Sequence, residues 1–261
     1  FADQRSNRAI DLINSGRYAE AKLLLEKSAY DGNKNAQFNL GAMYVNGTGV
    51  PKDYTKAAFW FEKSASKGDL ESLLQLGHLY RDLGLTSERP GNFKPNNYEA
   101  RRWYKLAANR QSAEAQYWLG KIAEYFGDPN DPKTEALDWY EKSANLGYLE
   151  SQIRLGELYS ERDIDRSINW YERAYLNDGD ELTLLELSHL KQAKKLGIYV
   201  TPSDTADLRF FKRRAIDSIS GYRENEKEER FYDLSRVYRY GRYGAKKDAA
   251  LADRLEKFSK E

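Results

Sequence analysis

The chain has 261 residues, enough to bury a sizeable core as one long domain or two compact ones. Its 42 basic and 41 acidic side chains leave a formal net charge of +1, so no bulk field draws in nucleic acid or an anionic membrane. There is no cysteine, which excludes disulfides, thiolate metal sites and cysteine nucleophiles, and no apolar run reaches the roughly 18 residues of a membrane span.

In chain order, Phe1-Ala2 before Asp3 has the character of a signal-peptide remnant, though a chance boundary fits as well. Periplasmic residence is the expectation, with the cytoplasm as the alternative. The stretch SGRYAEAKLLLEKSAYDG then reads as a helix, with Tyr18, Ala21, Leu24, Ala29 and Gly32 in a register that recurs downstream. AQFNLGAMY places Ala36, Leu40 and Tyr44 on one helical face. DYTKAAFWFEKSA does the same with Ala57, Phe61 and Ala65, and Trp60 and Ser64 widen the stripe. Asp53 is a natural N-cap for this second helix. Gly32, Gly68 and Gly147 stand where second helices should end in a left-handed cap. Gln111 occupies that slot in one unit and predicts a different cap there.

The pair repeats. Leu-Gly recurs at Gly41, Gly77, Gly120 and Gly156, at spacings of 36, 43 and 36 residues, and tryptophan follows at Trp60, Trp103, Trp139 and Trp170. Length varies between the two helices of a unit, so the connecting loop lies there. The second unit carries an insertion at residues 84–97, GLTSERPGNFKPNN, and the fourth a short connection, SERDID. LTLLELSHLKQA and SDTADLRFFKRRAIDSI form a degraded fifth pair with Leu187-Ser188 in the Leu-Gly slot. The last thirty residues restore the register through Leu234, Tyr238, Gly241, Asp248, Ala252 and Leu255.

Residues 36–68, with Leu40, Gly41, Tyr44, Gly47, Gly49, Val50, Asp53, Ala57, Trp60, Ala65 and Gly68, resemble a Sel1-like repeat, a relative of the tetratricopeptide repeat. The resemblance is good to about residue 175, weak beyond it, and returns near the end. It implies an all-α fold: a right-handed α-solenoid superhelix of stacked antiparallel helix pairs. The expected organisation is a single repeat domain. Residues 1–33 are capping helices, 34–178 four clear repeats, 179–225 a degraded repeat and 226–261 a C-terminal repeat. Stacking gives each pair the apolar cover it lacks alone. The Leu-Gly glycine is expected where two helices approach closely, and the tryptophans are read as core.

Catalytic signals are absent from the sequence. His78 and His189 fit no metal spacing, no G-x-S-x-G elbow occurs, and Gly47-Thr48-Gly49 lacks the strand and the G-K-S/T ending of a phosphate loop. No enzymatic activity, cofactor or metal is expected. The family resemblance implies a bacterial adaptor that binds another protein on its concave face, with no nucleic acid bound, no transmembrane segment and any membrane association made through the partner. It leaves two alternatives: a periplasmic immunity protein that inhibits a cognate secreted toxin such as a lipase, and a glycan- or peptidoglycan-binding envelope protein. The repeat register puts Phe38, Leu74, Tyr117, Ile153, Leu185 and Tyr232 two residues before each conserved leucine, and all but Leu185 are taken as partner-facing side chains. Two residues after the conserved leucine come His78, Lys121, Glu157, His189 and Arg236. Tyr125, Arg239 and Tyr240 extend the face. The insertion at 84–97 is a second candidate contact, and the degraded fifth pair either bends the array or ends its regular curvature.

Overall fold

Short polar caps cut this chain into short helices. Asn33, Asp53, Asp69, Asn96, Ser112, Asp163, Asp180 and Asp248 each sit in extended backbone, and each side chain accepts a hydrogen bond from an N–H two or three residues on. That bond satisfies donors a helix start leaves orphaned. A computed structural model describes residues 2–81, 93–127, 132–219 and 226–260. Fourteen helices and no strand occur among the described residues, an all-α chain of successive helix pairs.

The helices are α1 (Ala2–Asn14), α2 (Tyr18–Tyr30), α3 (Lys34–Asn46), α4 (Tyr54–Ala65), α5 (Leu70–Tyr80), α6 (Asn97–Ala108) and α7 (Ala113–Phe126). They continue with α8 (Pro132–Asn145), α9 (Leu149–Tyr159), α10 (Ile164–Asp178), α11 (Glu181–Leu196), α12 (Ala206–Ile219), α13 (Lys227–Tyr240) and α14 (Ala249–Ser259). Packing groups them into two compact units, residues 1–139 and 140–261.

In the first unit α1 packs on α2, α3 on α4 and α5 on α6, and each pair leans on the next. Leu40 and Leu76 are fully buried, as the repeat register requires. The glycine beside each touches an aromatic ring. A β-carbon on Gly41 would stand 2.6 Å from the Phe61 ring, and one on Gly77 would stand 2.4 Å from Tyr104. The deepest residue of each second helix is thus the one after the tryptophan. Phe61 and Tyr104 are enclosed, Trp60 is buried at the rim of the core, and Trp103 and Trp139 are half-buried against it. Phe93 packs between Tyr54 and Tyr80, with ring centroids 6.4 and 4.9 Å away, so the end of the insertion is anchored in the core. Residues 84–92 of the insertion lie outside the described residues.

In the second unit α9 packs on α10 and α13 on α14 in the same way. Gly156 takes the place of Gly41, 2.6 Å from Tyr171 by the same measure. The degraded fifth pair departs from this. α11 packs on α10, α12 packs on α13, and α11 and α12 meet only at their margins. Ser188, in the glycine slot, is exposed and donates to the Leu185 carbonyl of its own helix at 2.7 Å. Its side chain removes the flat surface on which an aromatic ring would seat. Ile198 and Val200 in the α11–α12 connection are buried instead.

The caps are as the glycines predict at Gly32, Gly68 and Gly147, with φ of +92°, +84° and +89°. The different cap expected at Gln111 is not found. Gln111 itself adopts φ +62° and donates to the Ala108 carbonyl at 2.9 Å, as Gly68 does to Ala65. The local hydrogen bonds outweigh the steric cost of a side chain in the left-handed region.

Candidate functional site

The partner-facing side chains expected from the register divide by burial. In the first unit Leu74 is buried at 6% exposure within the core of Phe61, Tyr104 and Leu119, so it is a packing residue as the fold stands. The reason is that α5 has neighbours on both sides, α4 and α6, and its consecutive leucines serve both. Phe38 is half-buried with its ring 5.5 Å from Phe61. Tyr117 is half-buried and edge-on to Trp118 at 5.0 Å. Tyr125 is exposed at 63%, with the Lys121 ammonium 5.3 Å above its ring.

His78, half-buried, bridges two groups of its own chain. Its Nδ1 lies 2.8 Å from the Tyr104 hydroxyl and its Nε2 3.1 Å from Glu114 Oε1. A neutral ring protonated at Nε2 satisfies both, donating to the carboxylate and accepting from the phenol. The His78 hydrogen bond holds the Glu114 carboxyl below the usual carboxylate range. The guanidinium of Arg81 stacks 3.6 Å from the Trp118 ring centroid beside them. A hydroxyl, an imidazole and a carboxylate in line have the parts of a nucleophilic relay, but Tyr104 is fully enclosed and no substrate atom can reach it there. Among the described residues no group of three or more His, Asp and Glu gathers as a metal site requires.

In the second unit His189 is buried at 6%, contrary to its expected place on the surface. α11 packs on α10 and also meets α12 and α14, and that cover turns His189 inward. Ile153 is half-buried on the core of Tyr171 and Leu187. Glu157 is exposed and paired with Arg154 at 2.5 Å. On α13, Tyr232 and Tyr240 are exposed at 50% and 56%, with Arg236 6.0 Å from the Tyr232 ring. Arg239 is already engaged, 2.8 Å from both Asp253 and Glu256.

Two clefts follow from these placements. One, of about 520 Å³, lies along α9, α10 and α11 and is lined by Ile153, Tyr171, Leu182 and Leu190 with Glu157, Asp180 and Glu186. Burial first, then the carboxylates of Glu157 and Glu186, raises the Tyr171 hydroxyl well above the ordinary tyrosine range, so it stays a neutral donor. The other, of about 550 Å³, lies between α13 and α14 around Tyr232, with Glu228, Glu229 and Glu256.

The family model for the Sel1 repeat matches residues 34–69, 71–112, 113–148, 149–178 and 232–252, well over half of the chain. The chain belongs to the Sel1 repeat family. A crystal structure of a Sel1 repeat protein from Oxalobacter formigenes superposes with a TM-score of 0.57 at 25% identity, covering 98% of this chain and 97% of that one. Over 58 residues the chain is 41% identical to the ERAD-associated E3 ubiquitin-protein ligase component HRD3A of Arabidopsis thaliana, 22% of this chain and 9% of that protein. It is also 36% identical over 103 residues to the sel1-like repeat-containing protein L21 of Acanthamoeba polyphaga mimivirus, 40% of this chain and 17% of that protein. The chain thus matches less than a fifth of either relative's length.

One joint between repeats of this chain was not read from the sequence. Glutamine stands three residues before the conserved leucine at Gln37, Gln116 and Gln152. Gln37 Nε2 donates to the Ala29 carbonyl at 3.0 Å and Gln152 Nε2 to the Ala144 carbonyl at 3.2 Å, tying a first helix to the preceding second helix. Its recurrence was the available signal. Leu182 and Glu186, which line the cleft along α9, α10 and α11, had no such signal because no shared residue recurs at their positions in the other repeats.

Proposed function

We propose that this Sel1 repeat protein is a non-enzymatic scaffold that binds another protein through exposed first-helix residues. The observation that carries this reading is on α13. Tyr232 and Tyr240 are half-exposed with Arg236 beside them, while Leu234 and Tyr238 on the same helix are buried. The fold needs only the latter pair. Tyrosine and arginine are, with tryptophan, the side chains enriched at interface anchors, giving contact area and directed hydrogen bonds. The neutral surface balance leaves specificity to such local groups rather than to a bulk field. One relative is by its name a component of an E3 ubiquitin-protein ligase, in keeping with a scaffold role, although it shares only a short segment with this chain.

The test is quantitative capture of a partner by the intact chain and by Tyr232→Ala/Tyr240→Ala. The double variant should keep its melting temperature, since both rings are half in solvent, and lose most of its partner. A folded double variant that retains full affinity removes α13 from the interface.

A further inference from the structure

The cleft along α9, α10 and α11 is chemically distinct from the α13 face. Its floor is apolar, with Ile153 half-buried and Tyr171 and Leu190 nearly covered. At its edge the first two turns of α11 present Leu182 at 71% exposure, with Leu185 at 40%. Leu182 and Leu185 lie about one turn apart on α11, an exposed apolar pair beside an apolar cleft, unlike the single apolar residues any surface carries. The lining holds three carboxylates and no lysine or arginine.

Those carboxylates are unequally engaged. Glu157 shares its charge with Arg154. Asp180 caps α11, accepting from the Thr183 N–H at 2.9 Å and its hydroxyl at 3.2 Å. Glu186 makes no ion pair among the described residues. The charge of Glu186 therefore stands uncompensated beside an apolar floor.

The geometry points to a basic, apolar peptide segment of a partner protein as the occupant. An aliphatic side chain fills the cleft between Ile153 and Leu182, and a flanking arginine or lysine meets Glu186. An acidic peptide would place like charges together, at a cost that suppresses the wrong partner. A second copy of this chain could offer Phe210, 56% exposed on α12 beside Arg213 and Arg214. Both arginines are already engaged, Arg213 with Glu161 and Arg214 with Asp233 at 3.6 Å, so the foreign segment is the better complement.

This inference rests on the scaffold reading but uses a different surface from α13. The probe is a short fluorescein-labelled peptide of leucines set among arginines, titrated into the full chain by anisotropy. Two control peptides exchange leucine for serine or arginine for glutamate. The protein variants are Leu182→Asp/Glu186→Lys and, as control, Tyr232→Ala/Tyr240→Ala; all four positions are exposed. The expected result is binding of the basic peptide alone, weakened by added salt, about tenfold or more weaker in the α11 variant and unchanged in the α13 variant. No binding, equal binding of the glutamate peptide, or full affinity in the α11 variant overturns the assignment. Concentration-dependent dimerisation of the wild type that the α11 variant abolishes also overturns it, in favour of a second copy. Loss of the natural partner in the α13 variant with intact peptide binding supports both readings. Retention of that partner removes α13 while leaving the cleft standing.

Discussion

The backbone of Gly41 is in direct contact with the ring of Phe61: a β-carbon on residue 41 would stand 2.6 Å from both Cδ1 and Cε1. An unobstructed glycine-to-alanine change inside a helix gains roughly 1 kcal/mol. Here the ring is fully enclosed and cannot swing away, so overpacking of about 1–3 kcal/mol competes with that gain and exceeds it. Gly41→Ala is expected to destabilise by about 1–2 kcal/mol in urea unfolding. Adding Phe61→Leu should make the alanine less harmful, so a double-mutant cycle with no coupling would contradict the contact.

Gln111 offers the opposite sign. Its φ of +62° is one that glycine adopts without strain, and its backbone bonds match those of the glycine caps. Gln111→Gly is expected to stabilise the chain by about 0.5–1 kcal/mol. The effect is read as a rise in urea midpoint at unchanged slope.

Asp53 should make stability depend on acid. The Lys56 backbone N–H donates to its carboxylate at 3.0 Å and holds the carboxyl below its usual range. A folded-state pKa lowered in this way adds stability above the unfolded value, about 3.9, and loses it as pH falls through the folded value. Asp53→Ala should therefore cost about 1 kcal/mol at neutral pH and progressively less in acid. Asp53→Asn keeps an acceptor, so most of the stability should remain while the acid dependence of this site goes. Equal losses in both variants at neutral pH would refute a capping role.

The second unit holds a buried ion pair. Lys212 Nζ lies 2.8 Å from Asp204 and 3.0 Å from the Tyr199 carbonyl, with both charged side chains under a tenth exposed. Removing one charge strands the other, at a cost of about 3–5 kcal/mol. Asp204→Ala and Lys212→Met should each destabilise strongly. The double change should cost less than the two singles summed, because neither charge is left alone. Additive losses in thermal unfolding would show that the pair does not act as a unit.

Which residues pack was largely legible, because a repeat shows the same physical demand several times. Leu40, Gly41 and Phe61 recur with their equivalents, and the caps at Asp53 and Gly68 follow from local backbone chemistry that neighbours in sequence settle. Surface placement was less legible. Leu74 and His189 hold the same register as Phe38 and Arg236, yet both are interior. Register assigns a helix face, whereas burial depends on which other helices close over that face.

The sequence by itself determined the helix pairs, their register, most of their caps and the close approach at the Leu-Gly glycines, since each arises from residues within one repeat or its neighbour. Only the tertiary structure decided that α11 and α12 part company, that His78 is spent bridging Tyr104 and Glu114, and that leucines and carboxylates of α9 and α11 share one cleft. Those outcomes depend on contacts between distant segments, where packing competition rather than local propensity sets the geometry.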